Sequence, residues 1–170
     1  MHIRQEADHA RAGRPARIIA KVNSLIDPAL IDELYLASQA GVQIDLIVRG
    51  MCSLRPGVPE VSDRIRVLSV VDRYLEHARI FCFHNNGEPL YLLASADWMQ
   101  RNFDRRVEIA FPILEPALQE RIKEILEIQI ADTVKAWWMQ PDGHYRRGAA
   151  NGSVPLRSQE RLYELIASSS

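Results

Sequence analysis

The spacing of apolar positions along the chain changes several times, and each change marks an element. Residues 17–23 (RIIAKVN) are a mostly apolar run of strand length. Asp27-Pro28 follows, a capping residue ahead of a proline at the first helical position. Leu30, Ile31, Leu34 and Ala37 then recur at helical spacing as far as Gly41, which predicts a helix from Pro28 that stops there. Residues 42–48 (VQIDLIV) form the next apolar run. Strand, helix and strand with short links make a βαβ unit. The two strands are therefore expected to be parallel neighbours, joined by a right-handed crossover.

Residues 51–62 read as a loop punctuated by Pro56, Gly57 and Pro59. Further strands are expected at 66–71, 78–83, 90–94 and 106–113, with Asn85-Asn86-Gly87 as a hairpin signal between the 78–83 and 90–94 strands. Pro116 opens a long helix whose apolar face is Leu118, Ile122, Ile125 and Leu126. Trp137-Trp138 reads as a last short strand, 141–153 as a mobile loop, and 159–166 as a terminal helix. Residues 3–12 read as a polar helix closed by Gly13. The pattern divides into a helical arm or the end of a preceding region (1–16), an α/β body with a mixed sheet flanked by helices (17–140), and a loop with a terminal helix (141–170).

Composition narrows the classes. The 170 residues include 47% hydrophobic and 25% charged positions, the balance of an ordinary globular domain. A formal net charge of −1 supplies no general field for nucleic acid or membrane, so an anion site must be local. Residues 1–17 carry four arginines and no apolar run, and no stretch reaches the length of a membrane span, so a cytoplasmic location is the default expectation. Cys52 and Cys82 have no metal-type spacing.

Ligands of open parallel sheets bind at the carboxyl ends of the strands, where Asn23 and Arg49 end the first two runs. An arginine there can fork two hydrogen bonds onto a phosphate, and Gly50 beside it would let a ligand approach the backbone. A carboxylate partner at the sheet edge is the alternative for Arg49. His77 and Arg79, two residues apart at the start of the 78–83 strand, share one face and would make a compact phosphate contact, or else form a surface pair near a turn. Arg101, Arg105 and Arg106, interleaved with Asp97, Asp104 and Glu108, read as a solvated face with local ion pairs. His2, His9, His84 and His144 are assigned no role.

Three runs carry a more specific signal. IVRGMCSLRPG (47–57), VVDRYLEHARIF (70–81) and SADWMQRNFDRRVE (95–108), in this order, closely resemble the last domain of bacterial polyphosphate kinase of the first type, and the similarity extends from about Ile3 to Trp138. That family in turn resembles the phospholipase D superfamily, in which two similar halves face each other. The superfamily half-motif, His-x-Lys followed by Gly-Ser-x-Asn, appears here as His77-Ala78-Arg79 and Ser95-Ala96-Asp97, with Asn102, Arg106 and Glu108 downstream. Arginine for lysine and aspartate for asparagine argue against phosphodiesterase activity.

The resemblance implies reversible transfer of the ATP γ-phosphate to polyphosphate through a phosphohistidine carried by a preceding domain. It puts Arg49 and His77 on the family's ATP-contacting arginine and histidine, with His77 also in a catalytic role. ATP or ADP, polyphosphate and that preceding domain are the implied partners. Mg²⁺ is implied for the whole enzyme with its ligands outside this chain, and no metal site is assigned within it. This segment by itself is expected to be inactive. Homo-oligomerisation is left open, and neither nucleic acid nor a membrane span is expected. A non-enzymatic module that binds polyphosphate or nucleotide or serves in assembly, and a diverged phospholipase-D-type phosphodiesterase half, are the alternatives.

Overall fold

The computed structural model describes residues 1–148 and 154–167. Helix α1 (His2–Arg11) precedes β1 (Arg17–Val22), α2 (Pro28–Ala40), β2 (Gln43–Val48), β3 (Ile65–Val70), β4 (Ile80–Phe83) and β5 (Leu90–Ala94). Helix α3 (Gln100–Asp104), β6 (Ala110–Pro112), α4 (Pro116–Ile130), β7 (Ala136–Met139), β8 (Tyr145–Arg147) and α5 (Ser158–Ala167) complete the order. The eight strands form one mixed sheet in the order β6-β5-β4-β1-β2-β3-β7-β8.

The expected βαβ unit forms. β1 and β2 are parallel, with Arg17 opposite Gln43 and Val22 opposite Val48. Helix α2 starts where its sequence dictates: the Asp27 carboxylate accepts from the Leu30 N–H at 2.8 Å and Pro28 needs no donor partner. It ends at Gly41, whose φ of 109° is a left-handed conformation that a side chain would strain. β2 pairs in parallel with β3, and β4 pairs antiparallel with β1, which makes the sheet mixed.

Alternation along β1 splits the core into two layers. Ile18, Ala20 and Val22 pack with Leu34 and Ala37 of α2. Ile19 packs on the opposite face with Ile47, Leu68, Ile80 and Leu126 of α4. Lys21 follows Ile19 on that second face and is 2% exposed. Helix α1 docks rather than projecting freely. Its Glu6 is buried and accepts from the backbone N–H groups of Arg17 and Asn85.

Several expectations need correction. The hairpin between β4 and β5 is present, with Phe83 opposite Leu90, but Asn85–Gly87 closes it as a short 3₁₀ turn. The 106–113 strand shrinks to Ala110–Pro112, because β5 ends at Ala94 and offers residues 106–108 nothing to pair with. Residues 141–148 are not a loop throughout. Asp142 accepts from the His144 N–H at 2.9 Å, and Tyr145–Arg147 pairs back onto β7. The rest of that expected loop, 149–153, lies outside the described residues. His77 and Arg79 precede β4, which begins only at Ile80. Among the described residues no helix is long and apolar enough to cross a membrane.

Candidate functional site

At the carboxyl ends of β1 and β2 the backbone itself is drawn tight. The Gly50 N–H donates to the Asn23 carbonyl at 2.8 Å, and a Cβ at position 50 would stand 2.8 Å from that same oxygen. The glycine therefore clears space for the neighbouring chain; the room anticipated there for a ligand is taken by Asn23. The link brings the two strand-end side chains together. Arg49 donates from Nε to Asn23 Oδ1 at 3.1 Å.

Asn23 in turn belongs to an aspartate-centred knot. Asp97 accepts from the Asn23 backbone N–H at 2.7 Å and from its amide at 3.1 Å. Arg79 adds a fork onto the same carboxylate, Nε to Oδ1 at 3.3 Å and Nη2 to Oδ2 at 3.1 Å. Burial pushes the Asp97 carboxyl up, but the Arg79 and Asn23 hydrogen bonds outweigh that and hold it below its ordinary value. Arg79 Nη1 also reaches the His77 carbonyl at 3.4 Å. His77 Nδ1 lies 3.5 Å from Arg49 Nη2. A guanidinium only donates, so this long contact suits a ring whose Nδ1 carries no proton.

The structure thus unites residues from three separate runs of sequence: Arg49, then His77 with Arg79, then Asp97. The pairing expected from spacing is altered, however. Arg79 turns to Asp97, and His77 turns to Arg49. The carboxylate partner considered for Arg49 is absent among the described residues. The anticipated ion pairs of Arg101, Arg105 and Arg106 do not form among them either. Those three side chains are exposed. Asp97 is taken by Arg79, and Glu108 accepts from Ser95 and Asn102.

Sequence reasoning missed Lys21 and Glu76. The Lys21 ammonium lies 3.3 Å from Glu76 with only 3% of its side chain exposed. Burial lowers its pKa most strongly, Glu76 works against that, and the nearby charges of Arg49 and Arg79 lower it further. Glu76 also accepts from Gln129 at 2.9 Å and from Gln159 at 3.0 Å. A signal for Lys21 was present: one lysine inside an otherwise apolar central strand is rarely buried without a partner.

Three cations (Lys21, Arg49, Arg79) thus meet two carboxylates (Glu76, Asp97) around His77. Beside them runs an open groove of about 560 Å³ lined by Arg49, Gly50, Asp72, Tyr74, Leu75 and Glu76. A separate cavity of about 240 Å³ lies between α4 and the sheet, near Arg17, Cys82, Tyr91 and Leu126. It sits toward the amino end of β1, away from Asn23, and its lining is mainly apolar. Chemically, the carboxyl-end cluster suits a polyanion, because the Arg49 guanidinium has donors that no carboxylate among the described residues occupies. No grouping of three or more His, Cys, Asp or Glu that could hold a metal ion occurs among the described residues.

Comparison with known proteins finds relatives of the whole chain. Residues 1–159 match the family model described as polyphosphate kinase C-terminal domain 2. The chain is 58% identical over 166 residues to the polyphosphate kinase of Neisseria gonorrhoeae, covering 96% of this chain and 24% of that one. It superposes on the crystal structure of polyphosphate kinase from Porphyromonas gingivalis with a TM-score of 0.95 and 42% identity, over 98% of this chain and 26% of that one. A phospholipase D family member, Nuc, from Salmonella typhimurium shares the fold at a TM-score of 0.54 and 13% identity, over 84% of this chain and 89% of that one. The chain spans about a quarter of the length of the polyphosphate kinases it matches.

Proposed function

Because the chain belongs to the polyphosphate kinase family, as its second carboxy-terminal domain, we propose that it supplies one half of the site at which a polyphosphate kinase moves the γ-phosphoryl group of ATP reversibly onto polyphosphate. The nucleophilic histidine of that transfer belongs to a preceding domain, and this half provides charge and orientation. The observation that carries the reading is Arg49: it stands at the carboxyl end of a parallel strand, touches His77, and has no carboxylate partner among the described residues.

Phosphoryl transfer spreads negative charge over the oxygens in flight, and positioned donors stabilise it more than flexible ones. In this reading Arg49 forks onto phosphate oxygens. Lys21 and Arg79 raise the local potential without leaving their carboxylates, and His77 holds or yields a proton beside the phosphates. Magnesium would accompany the nucleotide. Glu76 and Asp97 are both occupied by protein donors and do not form a metal set. A phosphodiesterase role is disfavoured, since Arg79 replaces the motif's lysine and its fork is spent on Asp97.

The test is a chimera in which this chain replaces the matching segment of the Neisseria gonorrhoeae enzyme. With γ-labelled ATP the chimera should make labelled polymer. His77→Ala should reduce turnover by roughly 10²–10⁴, the usual weight of an acid–base or charge-stabilising group. Arg49→Ala should lower catalytic efficiency at least about tenfold. The isolated chain should take up no acid-labile label. Full turnover of the His77→Ala chimera, or label on the isolated chain, would overturn the reading.

A further inference from the structure

The loop that carries His77 runs from Asp72 to Arg79 without regular structure and is nevertheless held at fixed points. At its start, Arg157 grips Asp72 with two bonds of 2.7 Å, from Nε to Oδ2 and from Nη2 to Oδ1. In its middle, Gln159 treats Tyr74 as a strand partner would. Its Oε1 accepts from the Tyr74 N–H at 2.8 Å, and its Nε2 donates to the Tyr74 carbonyl at 2.8 Å. The same Nε2 reaches Glu76 at 3.0 Å. Glu76, the residue immediately before His77, is thereby clasped by donors from three elements: Lys21 of β1, Gln129 of α4 and Gln159 of α5.

Both loop-gripping residues lie in the first turn of α5 or next to it, more than eighty positions along the chain from the loop. Gln159 is 5% exposed, unusual for a glutamine in a helix whose other positions are largely exposed. A helix needed only to cover the fold would bury apolar side chains. This one buries a polar side chain against backbone and a carboxylate. Its attachment elsewhere is independent of the loop: the Ser158 hydroxyl and N–H both donate to Asp132, at 2.6 and 2.8 Å.

Resting on the reading of the Arg49–His77 pair as a phosphate site, we infer that α5 is a positioning element of that site, with Gln159 as the residue that sets where the Glu76–His77 segment meets Arg49. Gln159 touches no reacting atom. It acts through Tyr74 and Glu76. The geometry it maintains is the 3.5 Å approach of His77 to Arg49. Without its three hydrogen bonds, the middle of the loop keeps the Lys21 and Gln129 contacts to Glu76 between the anchors at Asp72 and Arg79, and the histidine gains freedom to move relative to the guanidinium.

The experiment uses the 170-residue chain and inorganic tripolyphosphate as the probe. Gln159→Ala removes all three bonds while placing the best helix former in α5, so the helix itself is not weakened. Ser158→Ala is the control. It loosens α5 at Asp132 without touching the loop. At temperatures giving equal thermal destabilisation of the two variants, Gln159→Ala should speed exchange of the Tyr74 amide about tenfold relative to Ser158→Ala. It should also shift and broaden the His77 imidazole resonances, and weaken tripolyphosphate binding about tenfold. The control should keep wild-type His77 signals and affinity.

Equal Tyr74 exchange and His77 signals in both variants would make Gln159 a merely structural contact and overturn the inference. A loosened loop with unchanged affinity would overturn it as well. Should Gln159→Ala fail to fold, the near-isosteric Gln159→Glu retains the bond from Tyr74 N–H, loses both donors and sets a carboxylate against Glu76. The same readouts then apply. If the wild-type chain does not bind tripolyphosphate, the phosphate-site reading fails, while Tyr74 exchange and the His77 signals still decide whether α5 sets the loop.

Discussion

The two ends of the central strands use the same residue types to opposite effect. At the amino end, Asp45 is 3% exposed and saturated by arginine: Arg17 donates to Oδ2 at 2.9 Å, and Arg66 to Oδ1 at 2.6 Å. At the carboxyl end, Asp97 is equally gripped, by Arg79 and Asn23. Among the described residues the Arg49 side chain beside it is held only through Asn23 Oδ1 and the long contact to His77. A buried carboxylate between arginines is thus no mark of function by itself. What separates the ends is a guanidinium left over after the carboxylates are satisfied, at the edge where the parallel strands open onto a groove.

The comparison predicts a graded set of effects. The largest should come from Lys21→Met. Breaking a buried pair leaves Glu76 with neutral donors only and should cost roughly 3 kcal/mol, a fall in Tm of roughly 6–12 °C for a chain of this size. Denaturant melts of Lys21→Met, Glu76→Gln and the double variant check it. The double variant should recover part of the loss, and strict additivity would mean that the two side chains are not coupled.

Asp45→Asn should come next, at about 2 kcal/mol, because the two arginines it frees are half-exposed and can turn to water. Its affinity for tripolyphosphate should match the wild type. A weakened affinity would blur the distinction between the two ends.

Arg49→Lys should do the reverse. It keeps the charge and loses the fork, so binding of tripolyphosphate should weaken about tenfold while stability changes by less than about 0.5 kcal/mol. Calorimetric titration and a thermal melt on the same protein decide it. Lost stability with intact binding would move Arg49 to the structural side of the comparison.

The smallest effect concerns acid. The Asp97 carboxyl is held below its usual value of 3.8, so the stability it contributes is complete above that pH and is lost as pH falls through its depressed native value. Asp97→Asn should therefore flatten the acid limb of the stability curve below about pH 4, leaving a lower and more level plateau. An acid limb as steep as the wild type would assign that loss to other carboxylates, among them Asp72 and Asp132, which are also depressed.

The βαβ unit was legible because its signals are local. Asp27-Pro28 and Gly41 set the ends of α2 whatever surrounds them, and a continuous apolar run needs both its faces covered, which a parallel strand provides. The 106–113 run misled because its apolar residues suit a strand, yet strand formation needs a partner at matching depth, and β5 ends too early. Tyr145–Arg147 was hidden for the converse reason: a polar segment becomes a strand when a turn returns it to an edge.

The site divides in the same way. Chain pattern and motif order determined the α/β architecture and the family resemblance, and singled out Arg49 and His77 as candidates, because those depend on residue type and on the strand ends that flank them. Which groups bond to which was decided only by the tertiary structure. Arg79 turns to Asp97 and His77 to Arg49. Lys21 on β1 finds Glu76 on the loop after β3, and Gln159 closes on that loop from far away in the chain. The physical reason is that hydrogen bonds and ion pairs are short-ranged and directional, so partners separated by tens of residues are selected by how the sheet and its helices bring them together.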